Sequence, residues 1–181
     1  MIRQSAFINN SKLLKGGLHC HTTRSDGKCT PEETMHIHAE NNYDFLAITD
    51  HRKYNHTNYA PETGILIIPG MEMDGTFERT NGFRCFHSVA IGPDDESNGF
   101  SDGETLEKQD IADQFEFQKL LDMAHEKNNL TFYCHPEWSS TPARYFDQLK
   151  GNFAMEIWNT GCVMEDQMDD DAAYWDEMLG M

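Results

Sequence analysis

Leu18-His19-Cys20-His21-Thr22, followed by Ser25-Asp26-Gly27 and then by Thr30-Pro31-Glu32-Glu33, is the stretch that decides how this chain folds. Residues 18–22 read as a short strand. Thr30 suits a helix N-cap, Pro31 the first helical position and Glu33 the return half of a capping box, so a helix opens there and ends near Asn41-Asn42. A strand that hands over to a capped helix is the first half of a β/α unit, and the pattern repeats outward. Strands are expected over 45–49, 65–68 and 86–91, the last flanked by loops rich in Gly, Asp and Asn. A helical stretch over 106–127 carries Ile111, Phe115, Leu120, Leu121 and Ala124 near a three-to-four spacing. Strands over 130–134 and 154–158 flank a short helix over 144–149, and 172–179 reads as a last helix. Such alternation is the mark of an α/β chain. With no repeat, linker or low-complexity segment, residues 1–181 read as one domain. Asp169-Asp170-Asp171 reads as a solvated lead-in to the last helix.

Composition narrows the function. The chain has 181 residues, 38% hydrophobic and 25% charged, which is globular and long enough for a sizeable core. Its formal net charge of -17 repels nucleic-acid backbones and anionic lipids, so long nucleic acids and membranes are poor partners. A small phosphorylated substrate is compatible, because bound cations reverse the field locally. The five cysteines form no CxxC pair and have irregular spacing, which argues for a reducing compartment. Residues 1–17 lack the apolar core of a signal peptide, and no apolar run is long enough to span a bilayer. A soluble, cytoplasmic protein is expected.

Several strand-like runs end in, or meet, metal-ligand residue types. The first ends in His19-Cys20-His21, with Asp26 just beyond. The second ends in Thr49-Asp50-His51, the third leads into Glu72, the fourth begins with His87 and the fifth ends in His135. In barrel-type α/β folds the functional residues gather at the C-terminal ends of strands. Residues i and i+2 of a strand share a face, so His19 and His21 can chelate one ion while Cys20 turns away. His36 and His38 repeat the spacing on a predicted helix, where two residues span about 200° around the axis, so they are assigned to structure or surface. Imidazoles with carboxylates suit Zn, Mn or Fe. A bridging carboxylate such as Glu72 would hold two ions about 3.5–4 Å apart, the recurring clamp for phosphate-ester hydrolysis.

In order and spacing, His19-x-His21, Ser25-Asp26-Gly27, Thr49-Asp50-His51, Glu72, His87 and His135 resemble the PHP family, named for its polymerase and histidinol-phosphatase members. The resemblance runs from about Gly17 to Gly161. It implies a distorted (β/α)7 TIM-like barrel with two or three divalent metals at the strand ends. By position it gives His19, His21 and Glu72 to a first ion, Glu72, His87 and His135 to a second, and Asp26 and His51 to a third. Asp50 would stand behind these, orienting a ligand. The family's last motif, an Asp-x-His, has no counterpart: no His follows His135, and the sequence ends in Leu179-Gly180-Met181. The resemblance therefore implies a barrel incomplete at its C-terminal end, with the first and third sites each short of a ligand. The apolar edges of such an open barrel lead us to expect a homo-oligomer.

Other residues have ordinary roles to weigh. His56 reads as loop surface, His125 as an exposed helix position, Glu137 as a neighbour of the site, and Cys20 and Cys134 as core packing. Arg24, Arg52 and Lys53 follow ligand-bearing strands, where they serve either a substrate phosphate or an ion pair with one of the 31 acidic residues. The leading expectation is a metal-dependent phosphoesterase that hydrolyses a small phosphate monoester or nucleotide with a metal-bridging hydroxide and no further catalytic side chain. Its rivals are a truncated metal-binding remnant with little catalysis and an exonuclease-like proofreading module, the latter disfavoured by the acidic charge.

Overall fold

The computed structural model describes residues 12–77, 84–93, 98–168 and 171–181; Asp169, Asp170 and parts of the loops around the fourth expected strand lie outside them. Strands β1 (Gly16–Gly17), β2 (Phe45–Leu46) and β3 (Leu66–Ile67) form a parallel sheet in that order. Helix α1 (Pro31–Glu40) connects β1 to β2 and is capped as its sequence dictates. The Thr30 hydroxyl accepts from the Glu33 N–H at 3.2 Å, and the Glu33 carboxylate accepts from the Thr30 N–H at 2.8 Å. Met35 of this helix is buried against Leu46, Ile48, Ala60, Ile65 and Ile67.

The second sheet is mixed, with order β6-β4-β5-β7-β8. Its members are β4 (Gly70–Phe77), β5 (Arg84–Ile91), β6 (Gln109–Asp110), β7 (Leu130–Tyr133) and β8 (Asn152–Met155). Helix α2 (Gln114–Glu126) opens on Asp113, whose carboxylate accepts from the Phe115 and Glu116 N–H groups at 2.9 and 3.1 Å. It buries Phe117, Leu121 and Ala124 in a core shared with Met71, Met73, Phe86 and Tyr133. Helices α3 (Ala143–Phe146), α4 (Thr160–Asp166) and α5 (Asp171–Gly180) complete the described elements.

Strand β4 positions the site. It is buried at every residue, and its two faces have opposite character. Met71 and Met73 turn into the core, while Glu72, Asp74 and Thr76 share the other face. Fully buried Met71, Met73 and Phe86 contribute about 1.5–3 kcal/mol each, comparable with the several kcal/mol that burying one carboxylate costs. The apolar side of the sheet thus offsets an ionisable group on its reverse.

Among the described residues the strands do not close into the expected barrel. Strands β4 and β5 are antiparallel because too few residues separate them for the crossover that a parallel pair needs, and β5 and β7 are antiparallel as well. The two sheets meet where the Glu72 N–H points at the Thr49 carbonyl (3.2 Å) and the Arg52 N–H donates to the Glu72 carbonyl (2.7 Å), so His51 lies beside Glu72. Among the described residues nothing pairs with the outer edges of β1 and β8, and the sheets do not close. Residues 18–22 are not a regular strand, although the Thr49 N–H still donates to the Cys20 carbonyl at 2.8 Å. The long helix starts at Gln114 rather than near 106 because Gln109–Asp110 pairs with β4. Asp171 is not solvated: it is 2% exposed and accepts from the Glu137 N–H at 2.9 Å. No helix among the described residues is long and apolar enough to cross a membrane.

Candidate metal centre

Five imidazoles converge on one carboxylate. Glu72 is fully buried; its Oε1 lies 2.8 Å from His87 Nδ1 and 3.0 Å from His135 Nε2. Its Oε2 lies 3.0 Å from His21 Nε2, 3.1 Å from His51 Nδ1 and 3.5 Å from His19 Nε2. The five imidazoles arrive from four parts of the chain. His87 is on β5, where the antiparallel register sets it opposite Asp74 and so on the Glu72 face. His135 follows β7, His51 follows the segment after β2, and His19 and His21 follow β1. Asp26 stands at the mouth, with its carboxylate oxygens 2.7 Å from His21 Nδ1 and 3.5 Å from His51 Nε2.

The turn that carries Asp26 is braced from below. Asp50 does not reach the cluster. It is wholly buried and accepts from the Thr22 N–H (2.7 Å), the Thr22 hydroxyl (2.8 Å), the Ser25 hydroxyl (2.9 Å) and Asn55 Nδ2 (3.1 Å). Gly27 lets the turn close, since a Cβ there would sit 2.3 Å from the His21 carbonyl oxygen. Two non-glycine residues beside the cluster have left-handed backbones, Arg52 (φ 55°) and His135 (φ 27°), a conformation that costs of order 1–3 kcal/mol and concentrates at functional sites.

The electrostatics favour bound positive charge. Burial opposes charge on His19, His21 and His87, but the Glu72 carboxylate outweighs it for His87, raised to about 10, and raises His21 and His19 as well, the latter strongly. His51 goes the other way: burial and its neighbours His21 and His87 lower it despite Glu72. Burial also works against Glu72 itself, yet the facing His87 and His19 hold its carboxyl well below the usual range. Proximity has not produced a satisfied network. Glu72 Oε2, His51 Nδ1 and His135 Nδ1 are buried without a well-formed hydrogen bond, and His19 Nε2 faces His21 Nε2 at 3.1 Å. Glu72 Oε2 and the His19, His21 and His51 nitrogens that face it suit a divalent cation better than they suit one another. Ligand atoms within 4.8 Å of one another occur in the sets His19/His21/Glu72, His21/Asp26/His51 and His51/Glu72/His87.

The sequence profile of the PHP domain matches residues 17–178. The chain belongs to the PHP domain family. In fold, this PHP domain is similar to an amidohydrolase from Chromobacterium violaceum solved with bound sulfate and no metal, at 14% identity and a TM-score of 0.56, over 90% of this chain and 83% of that one. It is likewise similar to a proposed metal-dependent phosphoesterase from Bifidobacterium adolescentis, at 14% identity and a TM-score of 0.52, over 90% of this chain and 84% of that one. Comparison with curated protein sequences gives no match.

All seven residues expected as PHP ligands therefore lie together, at the floor and mouth of a cleft of about 510 Å³. The two arginines expected near a substrate phosphate do not line it. Arg52 donates to Asp74, and Arg24 to Asn55 and the Tyr59 hydroxyl, because buried acceptors beside them capture the guanidinium groups. The cation that does line the cleft is Lys28, 3.7 Å from Glu165. Trp138 forms one wall, packing edge-on against His87 and His135 and donating to Asp166 at 3.1 Å. His36 is outside, paired with Glu62, and His38 Nδ1 lies 2.7 Å from the Thr34 carbonyl at the cleft's rim. His125 is part-buried rather than exposed, 3.0 Å from the Thr131 hydroxyl. Cys134 is buried with Val89 and Phe132, while Cys20 stays partly open to the cleft.

Two carboxylates escape the sequence reading. Asp74 is 5% exposed, with Oδ1 3.7 Å from His51 Nδ1. Its signal was the alternation Met71-Glu72-Met73-Asp74, which marks a two-faced strand. Glu156 lies 3.1 Å from His19 Nδ1; its signal was an acidic residue inside the apolar run Phe153-Ala154-Met155-Glu156-Ile157-Trp158.

Proposed function

We propose that this PHP domain is a metal-dependent phosphoesterase acting on a small phosphate monoester or nucleotide, with its ions held by His19, His21, Asp26, His51, Glu72, His87 and His135. The convergence of five imidazoles on buried Glu72 supports it most. When bound, divalent ions at such a site neutralise phosphoryl oxygens and bring the ionisation of water toward neutral pH. The chain's own contributions are separate. Glu72 supplies the buried carboxylate at the floor that all five imidazoles face. Asp26 closes the mouth from a turn fixed by Asp50. Trp138 and the buried imidazole faces keep bulk water from one side of the cleft. Lys28 meets an incoming anion at the rim.

The cleft's size falls within the range of about 300–1,000 Å³ usual for small ligands. Glu165 and Asp166 also line it, so a polynucleotide would meet negative charge at the entrance, which favours a small substrate over the exonuclease-like reading. The test is hydrolysis of an aryl phosphate by protein reconstituted with Zn, Mn or Fe, compared with His19→Ala. The variant should lose more than the roughly 10–100-fold typical of an outer-layer change. Equal rates overturn the proposal, and no turnover with a full metal complement favours the remnant.

A further inference from the structure

Glu156 is a buried carboxylate that the proposed ligand set does not use. It directly follows β8, and the parallel pairing Tyr133↔Met155 sets it beside Cys134 and His135 at the ends of both strands. Its N–H donates to the Tyr133 carbonyl at 2.8 Å, which fixes the backbone from which the side chain departs. Both carboxylate oxygens are engaged. Oε1 lies 3.1 Å from His19 Nδ1, while Oε2 accepts from the His135 backbone N–H and from Asn159 Nδ2, each at 3.0 Å. Asn159 is held in turn, because its Oδ1 accepts from the Cys162 N–H at 3.1 Å and caps α4.

The opposite edge of the His19 ring faces the cluster: Nε2 is 3.1 Å from His21 Nε2 and 3.5 Å from Glu72 Oε2. A neutral imidazole carries one N–H. A carboxylate at Nδ1 draws that proton there and leaves the Nε2 lone pair for an ion, which fixes the tautomer and raises the basicity of the ligand. We propose that Glu156 is a positioning residue: it holds His19 with Nδ1–H turned outward and anchors the backbone of His135, so one side chain orients a ligand on each side of Glu72. This rests on the metal-binding reading above.

The same atoms have a rival use. Ligand atoms of His19, Cys134 and Glu156 lie within 4.8 Å of one another, a set that would suit a separate thiolate-bound ion. That use would take Nδ1 of His19 away from Glu156 and displace a carboxylate whose second oxygen already accepts two N–H bonds, so the orienting role fits better.

The experiment compares the intact chain with Glu156→Gln, using competition of a chromophoric chelator for zinc, and nitrogen–proton NMR of the histidine rings in the zinc-loaded protein. The expected result is a roughly 10–100-fold weaker affinity for at least one ion. The far-downfield His19 Nδ1–H resonance should also move upfield once the charged acceptor is gone. Should Glu156→Gln not fold, Glu156→Asp is read in the same way: the shorter side chain cannot span His19 and the His135 N–H together, so affinity must fall. Unchanged affinity overturns the proposal, whether or not the resonance moves. So does a thiolate-to-metal absorption band in cobalt-loaded protein that Cys134→Ser abolishes, since Glu156 and Cys134 would then be direct ligands. If the parent chain takes up no divalent ion, the proposed function itself fails; if the parent and Glu156→Gln bind alike, this inference alone fails.

Discussion

Asp50→Asn tests whether the mouth of the site is built from beneath. Asp50 is fully buried and accepts from four donors; the carboxamide offers one oxygen and puts an NH2 where the other oxygen was. The hydroxyls of Thr22 and Ser25 can rotate to new acceptors, but the Thr22 N–H cannot. Asn55 cannot flip its amide to help, because its Oδ1 is already taken by Arg24. Whichever way the new carboxamide is turned, one buried donor faces another. A hydrogen bond to a charged acceptor is worth about 1.5–3 kcal/mol and a stranded buried donor costs about 1–3 kcal/mol, two measures of the same loss, so we expect about 2–3 kcal/mol of destabilisation. For a chain of this length that is roughly 4–12 °C in Tm. The assay is urea unfolding of the metal-free protein, followed by calorimetric metal titration, in which the ion nearest Asp26 should bind more weakly while the His87 and His135 side is spared. An unchanged urea midpoint with unchanged metal binding would refute the reasoning.

Two other perturbations follow from the same geometry. Gly27→Ala places a Cβ 2.3 Å from the His21 carbonyl oxygen, backbone that cannot yield cheaply, so it should cost about 1–3 kcal/mol and weaken metal binding at Asp26, as read by the same titration. Asp102 is different, since it does not line the cleft: burial opposes its charge, but the His56 N–H (2.8 Å), the Thr57 hydroxyl (2.8 Å) and the Thr57 N–H (3.3 Å) hold its carboxyl below the usual range. A lowered folded value gives stability that is present above the unfolded value, about 3.9, and is lost as pH falls through the folded one. Asp102→Asn should therefore be less stable than the parent at neutral pH and approach it in acid; a difference that does not change with pH would contradict the assignment.

How much of this was readable in the sequence varied with the physics of each segment. Helix α1 was legible because its start is local chemistry: Thr30, Pro31 and Glu33 suffice, and the capping box forms as written. The residues that gather round Glu72 were legible from their order along the chain, although residues 18–22 form no regular strand and Cys20 faces the cleft with His19 and His21. The sheet was harder. Antiparallel pairing of β4 with β5 is set by the brevity of their connection, and reading Glu72 as loop after a strand hid both that pairing and Asp74, which shares its face. Glu156 was lost for a related reason: an acid inside an apolar run looks like a strand interior until the strand is seen to stop at Met155. Arg24 and Arg52 were placed by sequence near the site, but only tertiary structure reveals the acceptors that occupy them. Helix α4 was missed because its start depends on the Asn159 cap rather than on periodicity.

Counting ions on Glu72→Gln puts the central claim under the most direct strain. The carboxylate is shared by every imidazole of the cluster, so its neutral isostere takes a ligand oxygen from one side and the negative charge from both. Elemental analysis after reconstitution and desalting should find two or three divalent ions per parent chain and at least one fewer in a folded Glu72→Gln. A parent chain that retains less than one ion, or a variant that retains the full complement, would contradict the account.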